Sequence, residues 1–112
     1  MEKKEALKIV QEDDWKLKDL PAHFRKDKKF ILEAVKLNGH ALEIADDSLK
    51  KDKEIVLQAV KQGGLALQFA DDSLKKDKKI VLEAVKQYGG ALQYADGSLK
   101  NDPDILAIVN KK

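Results

Sequence analysis

Apolar and polar positions along the chain recur with a period of 25 residues. Residues 52–76 read DKEIVLQAVKQGGLALQFADDSLKK, and 27–51 (DKKFILEAVKLNGHALEIADDSLKK) and 77–101 (DKKIVLEAVKQYGGALQYADGSLKN) align with them without a gap. Shifting back by one period lays 2–26 over 27–51, with Leu7 on Leu32, Val10 on Val35, Leu17 on Leu42 and Phe24 on Leu49. In this first unit Asp14 replaces Gly39 and Trp15 replaces His40, the divergence of an end unit. Residues 102–112 begin a fifth unit and contain one helix's worth of chain.

Within a unit, Ile55, Val56, Leu57, Ala59 and Val60 fall on neighbouring turns of one face, which predicts an amphipathic helix of about three turns. Gln58 and Lys61 break any strand alternation, and Leu57, Gln58 and Ala59 favour helix. Asp52 is the expected N-cap, because its carboxylate can accept from the unpaired amides of the first turn. Asp102 followed by Pro103 supports that register, since proline suits the first helical position. Gly39, Gly64 and Gly89 fall where this helix ends, and a left-handed cap at positive φ is expected there. A shorter second helix follows over 65–70, with Ala66, Leu67, Phe69 and Ala70 on its apolar side. The segment DDSLKK then turns the chain, with Leu49, Leu74 and Leu99 pointing inward and Ser73 as a local cap. Ile44, Phe69 and Tyr94 share one position and are expected in the core.

A lone unit has too few apolar side chains to offset the entropy of ordering its backbone. Successive units must shelter one another's apolar faces. The fold class is therefore all-α, an α-solenoid-like array of 25-residue helix-turn-helix repeats. It forms a single domain over 1–112 with units 2–26, 27–51, 52–76 and 77–101 and a terminal half-unit, 102–112. Alanines recur at Ala34, Ala59 and Ala84, at Ala41, Ala66 and Ala91, and at Ala45, Ala70 and Ala95, where small side chains permit close helix approach. Ile108 stands where earlier units have Glu33, Gln58 and Glu83. The expected state is a monomer, with end-to-end self-association through this last helix left open, as is membership of a longer array.

Composition narrows the function. Lys plus Arg is 22 and Asp plus Glu 20, a net charge of +2, so the surface is laced with both signs rather than built to grip a polyanion. There is no cysteine, which removes disulfides and thiolate sites. No run approaches membrane-spanning length and the N-terminus lacks a signal peptide's apolar core, so a cytoplasmic location with no membrane contact is expected. Asp46, Asp47, Ser48 and Asp52, repeated as Asp71, Asp72, Ser73 and Asp77, could suggest calcium. They lack the alternation, central glycine and distal glutamate of a calcium loop, and Gly97 replaces the second Asp of the next copy. Capping chemistry accounts for them. His23 and His40 occupy different unit positions, and the recurring serines lack a base. No catalytic residue, metal or cofactor is expected, and the chain does not read as an enzyme.

Two binding surfaces remain. Lys36, Lys61 and Lys86 share one position and would align in a row able to follow phosphates, the basis of a nucleic-acid alternative. Against it, Glu33 and Glu83 are spaced to pair with Lys29, Lys36, Lys79 and Lys86 on their own helices. The favoured role is a non-catalytic binding or scaffold module for a protein or peptide, because repeat arrays keep their frame and vary their contacts. The units differ around the helix-to-helix turn, at Leu37, Asn38 and His40, at Gln62, Gly63 and Leu65, and at Gln87, Tyr88 and Gly90. The partner-binding candidates are Trp15, Leu37, His40, Gln62, Leu65, Gln87 and Tyr88, with Trp15 and Tyr88 as anchor types.

The recurring string D-x-x-I/V-V-L-x-A-V-K-x-x-G-x-A-L-x-F/Y-A-D-x-S-L-K-x-D resembles the tandem helical repeat of the domain of unknown function 4116. The resemblance covers almost the whole chain, and Trp15, Leu20, Phe24, Arg25 and Asp27 also fit it. It implies a helical repeat and brings no catalytic or binding residues.

Overall fold

The computed structural model describes residues 1–12 and 14–110; Lys111 and Lys112, the end of the expected half-unit, lie outside the described residues. Each unit is led by a long helix: α1 (Lys3–Glu12), α2 (Lys28–Leu37), α3 (Lys53–Gln62) and α4 (Lys78–Gln87), with α5 (Pro103–Val109) opening the half-unit. The carboxylates of Asp27, Asp52, Asp77 and Asp102 accept from the amides of Phe30, Ile55, Ile80 and Ile105, as expected of N-caps. In α3, Ile55, Val56, Ala59 and Val60 are buried, and the same steps are buried in α2 and α4. No strand occurs among the described residues, and none of their helices is long and apolar enough to cross a membrane.

The expected left-handed caps are absent: no glycine among the described residues has a positive φ. The helices α2, α3 and α4 instead stop at an extended residue, Asn38 (φ −155°), Gly63 (φ −161°) and Tyr88 (φ −155°), whose amide donates to the alanine carbonyl four residues back. The following glycine is needed for proximity. A Cβ on Gly39 would stand 2.6 Å from the Ala59 carbonyl oxygen, and one on Gly64 would press harder on that of Ala84.

The shorter second helix expected over 65–70 is a 3-10 segment, Gly64–Phe69, matched by Gly39–Ile44 and Gly89–Tyr94. A three-residue turn fits the burial: within 39–45 only His40 and Glu43, three apart, are exposed. Nor is DDSLKK a simple turn. Asp47–Lys50 and Asp72–Lys75 form single α-helical turns, and their caps are Asp46 and Asp71 rather than the serines. Ser73 donates to its cap, with its amide 3.0 Å and its hydroxyl 2.7 Å from Asp71 Oδ2. Leu49 and Leu74 are buried as anchors, while Leu99 is half-buried. A unit is thus helix, 3-10 segment and one-turn helix, the last a 3-10 turn (Gly97–Leu99) in the fourth unit, three elements where two were expected.

The units stack into an array of 47 × 26 × 18 Å. Long helices contact in the order α1, α2, α3, α4, α5, and the 3-10 segments stack in the same sequence. One apolar core runs unbroken from Ala6 to Ile105, taking in all nine recurring alanines. Ile44 is buried in it, whereas Phe69 and Tyr94 are half-buried against it.

Two ladders tie successive units. The amides of Asp46, Asp71 and Asp96 donate to the carbonyls of Arg25, Lys50 and Lys75, at 2.9, 3.0 and 3.0 Å. The first helical lysine of one unit meets the N-cap of the next: Lys28 with Asp52 at 3.0 Å, Lys53 with Asp77 at 3.0 Å, and Lys78 with Asp102 at 3.2 Å. Lys28 and Lys78 are raised above the usual lysine range by these hydrogen bonds, that of Lys78 to Asp104 foremost. Glu83 pairs with Lys86 on its own helix as expected, but Glu33 reaches Lys3 of the preceding unit at 2.7 Å.

Candidate functional site

The turns between long helix and 3-10 segment share one edge of the array. Lys36, Lys61 and Lys86 stand in the last helical turn leading into them, and all three are exposed. Residues 36–42, 61–67 and 86–92 hold these three lysines and no Asp or Glu. Glu43 and Glu83 lie nearer the turns, while the capping aspartates Asp27, Asp52, Asp77 and Asp102 stand at the other end of the long helices, about 15 Å away for a ten-residue helix.

Those carboxylates are committed to structure. Asp46, Asp71 and Asp96 are held below the usual carboxylate range, first by side-chain hydrogen bonds from Ser48, Ser73 and Ser98 and then by the amides of the same serines. For Asp52 and Asp77 desolvation is the largest single influence and opposes ionisation. Hydrogen bonds from Lys28 or Lys53 and from first-turn amides together outweigh it, so both are also lowered. A carboxylate stabilised as the anion is a poor proton carrier near neutral pH.

At the turn edge a cleft of about 270 Å³ spans the second, third and fourth units. Its lining brings together His40, Gln62, Leu65 and Tyr88 of the sequence candidates, and adds Asn38, Gly63 and Ala66. The other three candidates lie elsewhere. Leu37 faces a separate groove with Leu7 and Lys8 of α1. Gln87 is exposed at the end of α4, and Trp15 lies on the 3-10 segment Asp14–Asp19 with the Lys16 ammonium 5.0 Å from its ring centroid. Exposure nevertheless unites the set: among the described residues, Trp15 (74%), Leu37 (45%), Leu65 (39%) and Tyr88 (49%) are, with Met1, the exposed large apolar side chains.

The cleft exists because one repeat position carries three different residues. Asn38 reaches back to the Val10 carbonyl at 3.2 Å and accepts from the His40 amide at 3.0 Å, closing its turn. Tyr88 lays its ring over Gly90, where any Cβ would collide with ring atoms. Gly63, between them, offers nothing: a Cβ there would have no neighbour within 4 Å. His40 borders the gap, its ring 5.2 Å from that of Phe69. Gly63 stood among the variable residues but not among the sequence candidates. Aligning Asn38, Gly63 and Tyr88 shows where a side chain is missing, but not that the space stays empty.

Fold and edge together define a helical-repeat array that keeps a fixed frame and varies one row of turns. The chain belongs to the family described as Domain of unknown function (DUF4116), whose model matches residues 4–50, 27–75, 52–100 and 77–108. Each of the first three matches spans about two 25-residue units. No match was found among curated proteins or among solved structures.

Proposed function

We propose that this chain is a non-catalytic binding or scaffold module that recognises a protein or peptide along its turn edge, acting as a monomer in the cytoplasm. The observation that carries the reading is the coincidence of exposure with variation. Trp15, Leu37, Leu65 and Tyr88 are the large apolar side chains exposed beyond Met1, and all four stand where the units differ. Aromatic anchors such as Trp and Tyr are the usual source of binding energy in an interface, while the surrounding contacts exclude water. The frame positions are already buried against neighbouring units and have little left to offer a partner.

Selection of a random peptide library on the purified protein, scored against a Leu65→Ala/Tyr88→Ala variant, tests this. The expected result is a set of peptides that bind the parent and lose at least about tenfold in affinity on the variant, with the melting temperature unchanged. Failure to select any peptide, or equal binding to both proteins, refutes it.

A further inference from the structure

The cleft at the turn edge is open because residue 63 is glycine, and the helix ends that lead into it carry Lys36, Lys61 and Lys86 against one carboxylate, Glu43, on the 3-10 segment beside His40. From these two observations we infer its occupant: a peptide segment with one bulky apolar side chain flanked by carboxylates. The apolar side chain seats over Gly63 between His40, Leu65 and Tyr88, and the carboxylates lie toward Lys36, Lys61 and Lys86. This rests on the turn edge being the recognition surface and names the chemistry of the partner.

Size argues for one side chain. At about 270 Å³ the cleft falls just below the roughly 300–1,000 Å³ of sites that enclose drug-sized ligands. It is lined by Gly39, Gly63, Leu65 and Ala66 together with an imidazole, two amides and a phenol. An apolar anchor can be covered there while its own backbone meets polar groups at the rim.

Charge argues for acidic flanks. Lys36 and Lys61 end the helices that lead into the cleft, Glu43 follows on the 3-10 segment of His40, and Lys86 shares Glu83 at 3.5 Å, one turn back on its helix, so cations outnumber carboxylates there. Complementary charge at the rim speeds encounter and rejects cationic sequences. A nucleic acid would use the same lysines but leave the apolar gap over Gly63 unfilled. A net charge of +2 also gives a polyanion little long-range attraction to the chain as a whole.

The test is fluorescence anisotropy with three labelled peptides sharing a central Leu or Phe and flanked by Asp/Glu, by Asn/Gln or by Lys, beside a single-stranded RNA. The proteins are the parent, Gly63→Asn, and Lys36→Gln/Lys61→Gln. Gly63→Asn repeats what Asn38 does at the same unit position on a matching extended backbone, so it keeps the fold and fills the cleft. The expected result at about 50 mM salt is an acidic peptide bound at least about tenfold tighter than the neutral one, with the gap narrowing at about 150 mM. Gly63→Asn then loses at least about tenfold at an unchanged or higher melting temperature, and the lysine double variant loses the preference for acidic flanks. Neutral and acidic peptides of equal affinity, both lost in Gly63→Asn, overturn the inference and leave the recognition reading standing. Absence of binding by any peptide overturns both. Peptide binding unaffected by Gly63→Asn, or RNA binding tighter than any peptide and indifferent to that change, overturns the cleft as the site.

Discussion

Gly39, Gly64 and Gly89 hold one position in the repeat, and substitution by alanine should give three different outcomes. On Gly39 a Cβ would stand 2.6 Å from the Ala59 carbonyl oxygen and on Gly64 it would press on that of Ala84, but on Gly89 it would meet only Val109 Cγ1 at 3.9 Å. The two carbonyls cannot yield freely, because each accepts the closing hydrogen bond of its helix, from Gly63 and Tyr88, at 3.0 Å. The units must separate instead, an overpacking cost of about 1–3 kcal/mol. Alanine offsets about 0.4–1 kcal/mol of this by restricting the unfolded chain. Gly39→Ala and Gly64→Ala should therefore lose on the order of 1–2 kcal/mol, with Gly64→Ala the worse. Gly89→Ala should be neutral or gain a few tenths, as should Gly63→Ala in its open space. Urea denaturation of the four variants measures this, with melting shifts of about 4 °C per kcal/mol expected for a chain of this size. If the glycines were left-handed caps, all three aligned variants would lose stability alike. Equal stability of Gly64→Ala and Gly89→Ala would refute the close-approach account.

Three further perturbations probe the frame. Ala59→Leu adds three carbons at a fully buried position whose carbonyl lies against Gly39, and should cost at least about 1–3 kcal/mol by calorimetry; an unchanged melting temperature would count against the packing described. Asp52→Ala removes the cap on Ile55 and the partner of Lys28, and should cost about 0.5–2 kcal/mol in urea titrations. Asp52→Asn keeps an acceptor and should lose less; a loss equal to that of alanine would show that charge rather than capping dominates. On acidification, Asp46, Asp52, Asp71, Asp77, Asp96 and Asp102 all have folded values below the unfolded one. Their stabilisation is complete above a pH of about 4 and is lost as pH falls through the folded values. Lys28 and Lys78 have raised folded values, so their contribution is complete below a pH of about 10.4 and is lost above it. Thermal melts followed by circular dichroism should show a plateau from about pH 5 to 9 with falls on both sides; a decline already between pH 7 and 5 would contradict this.

What the sequence made legible follows from the range of each interaction. The long helices, their Asp caps and Pro103 depend on residues within four positions of one another, and local pattern suffices for them. The alanine rows were visible because a repeat turns a tertiary contact into a periodicity. The glycines misled because both a left-handed cap and a close backbone approach select glycine, and only the position of Ala59 or Ala84 in the next unit separates them. The 3-10 character was present in the three-residue spacing of His40 and Glu43, but a six-residue window barely distinguishes a turn of 3.0 from one of 3.6. Glu33 was assigned to its own helix because intrahelical spacing is all a sequence displays, while Lys3 lies 30 residues back. Of the site, the variable turns were found and the cleft was not, since a gap depends on what neighbouring backbones leave unfilled.

Stability and recognition occupy different positions of the same repeat, and the three devices that join units show why. The lysine–aspartate ladder lies at the N-cap edge, the backbone ladder at the one-turn helices, and the glycine–alanine approach where each long helix ends, one residue past the variable position. In the variable turns Asn38 bonds by its side chain to the Val10 carbonyl of the preceding unit, whereas its counterpart Gly63 has no side chain and Tyr88 lays its ring over Gly90. A position that one unit uses for a cross-link, a second leaves empty and a third fills with an aromatic ring is not one on which stacking depends. Substitution there can reshape the edge without unstacking the array. At Gly39 or Gly64, one residue further on, even a methyl group forces the units apart.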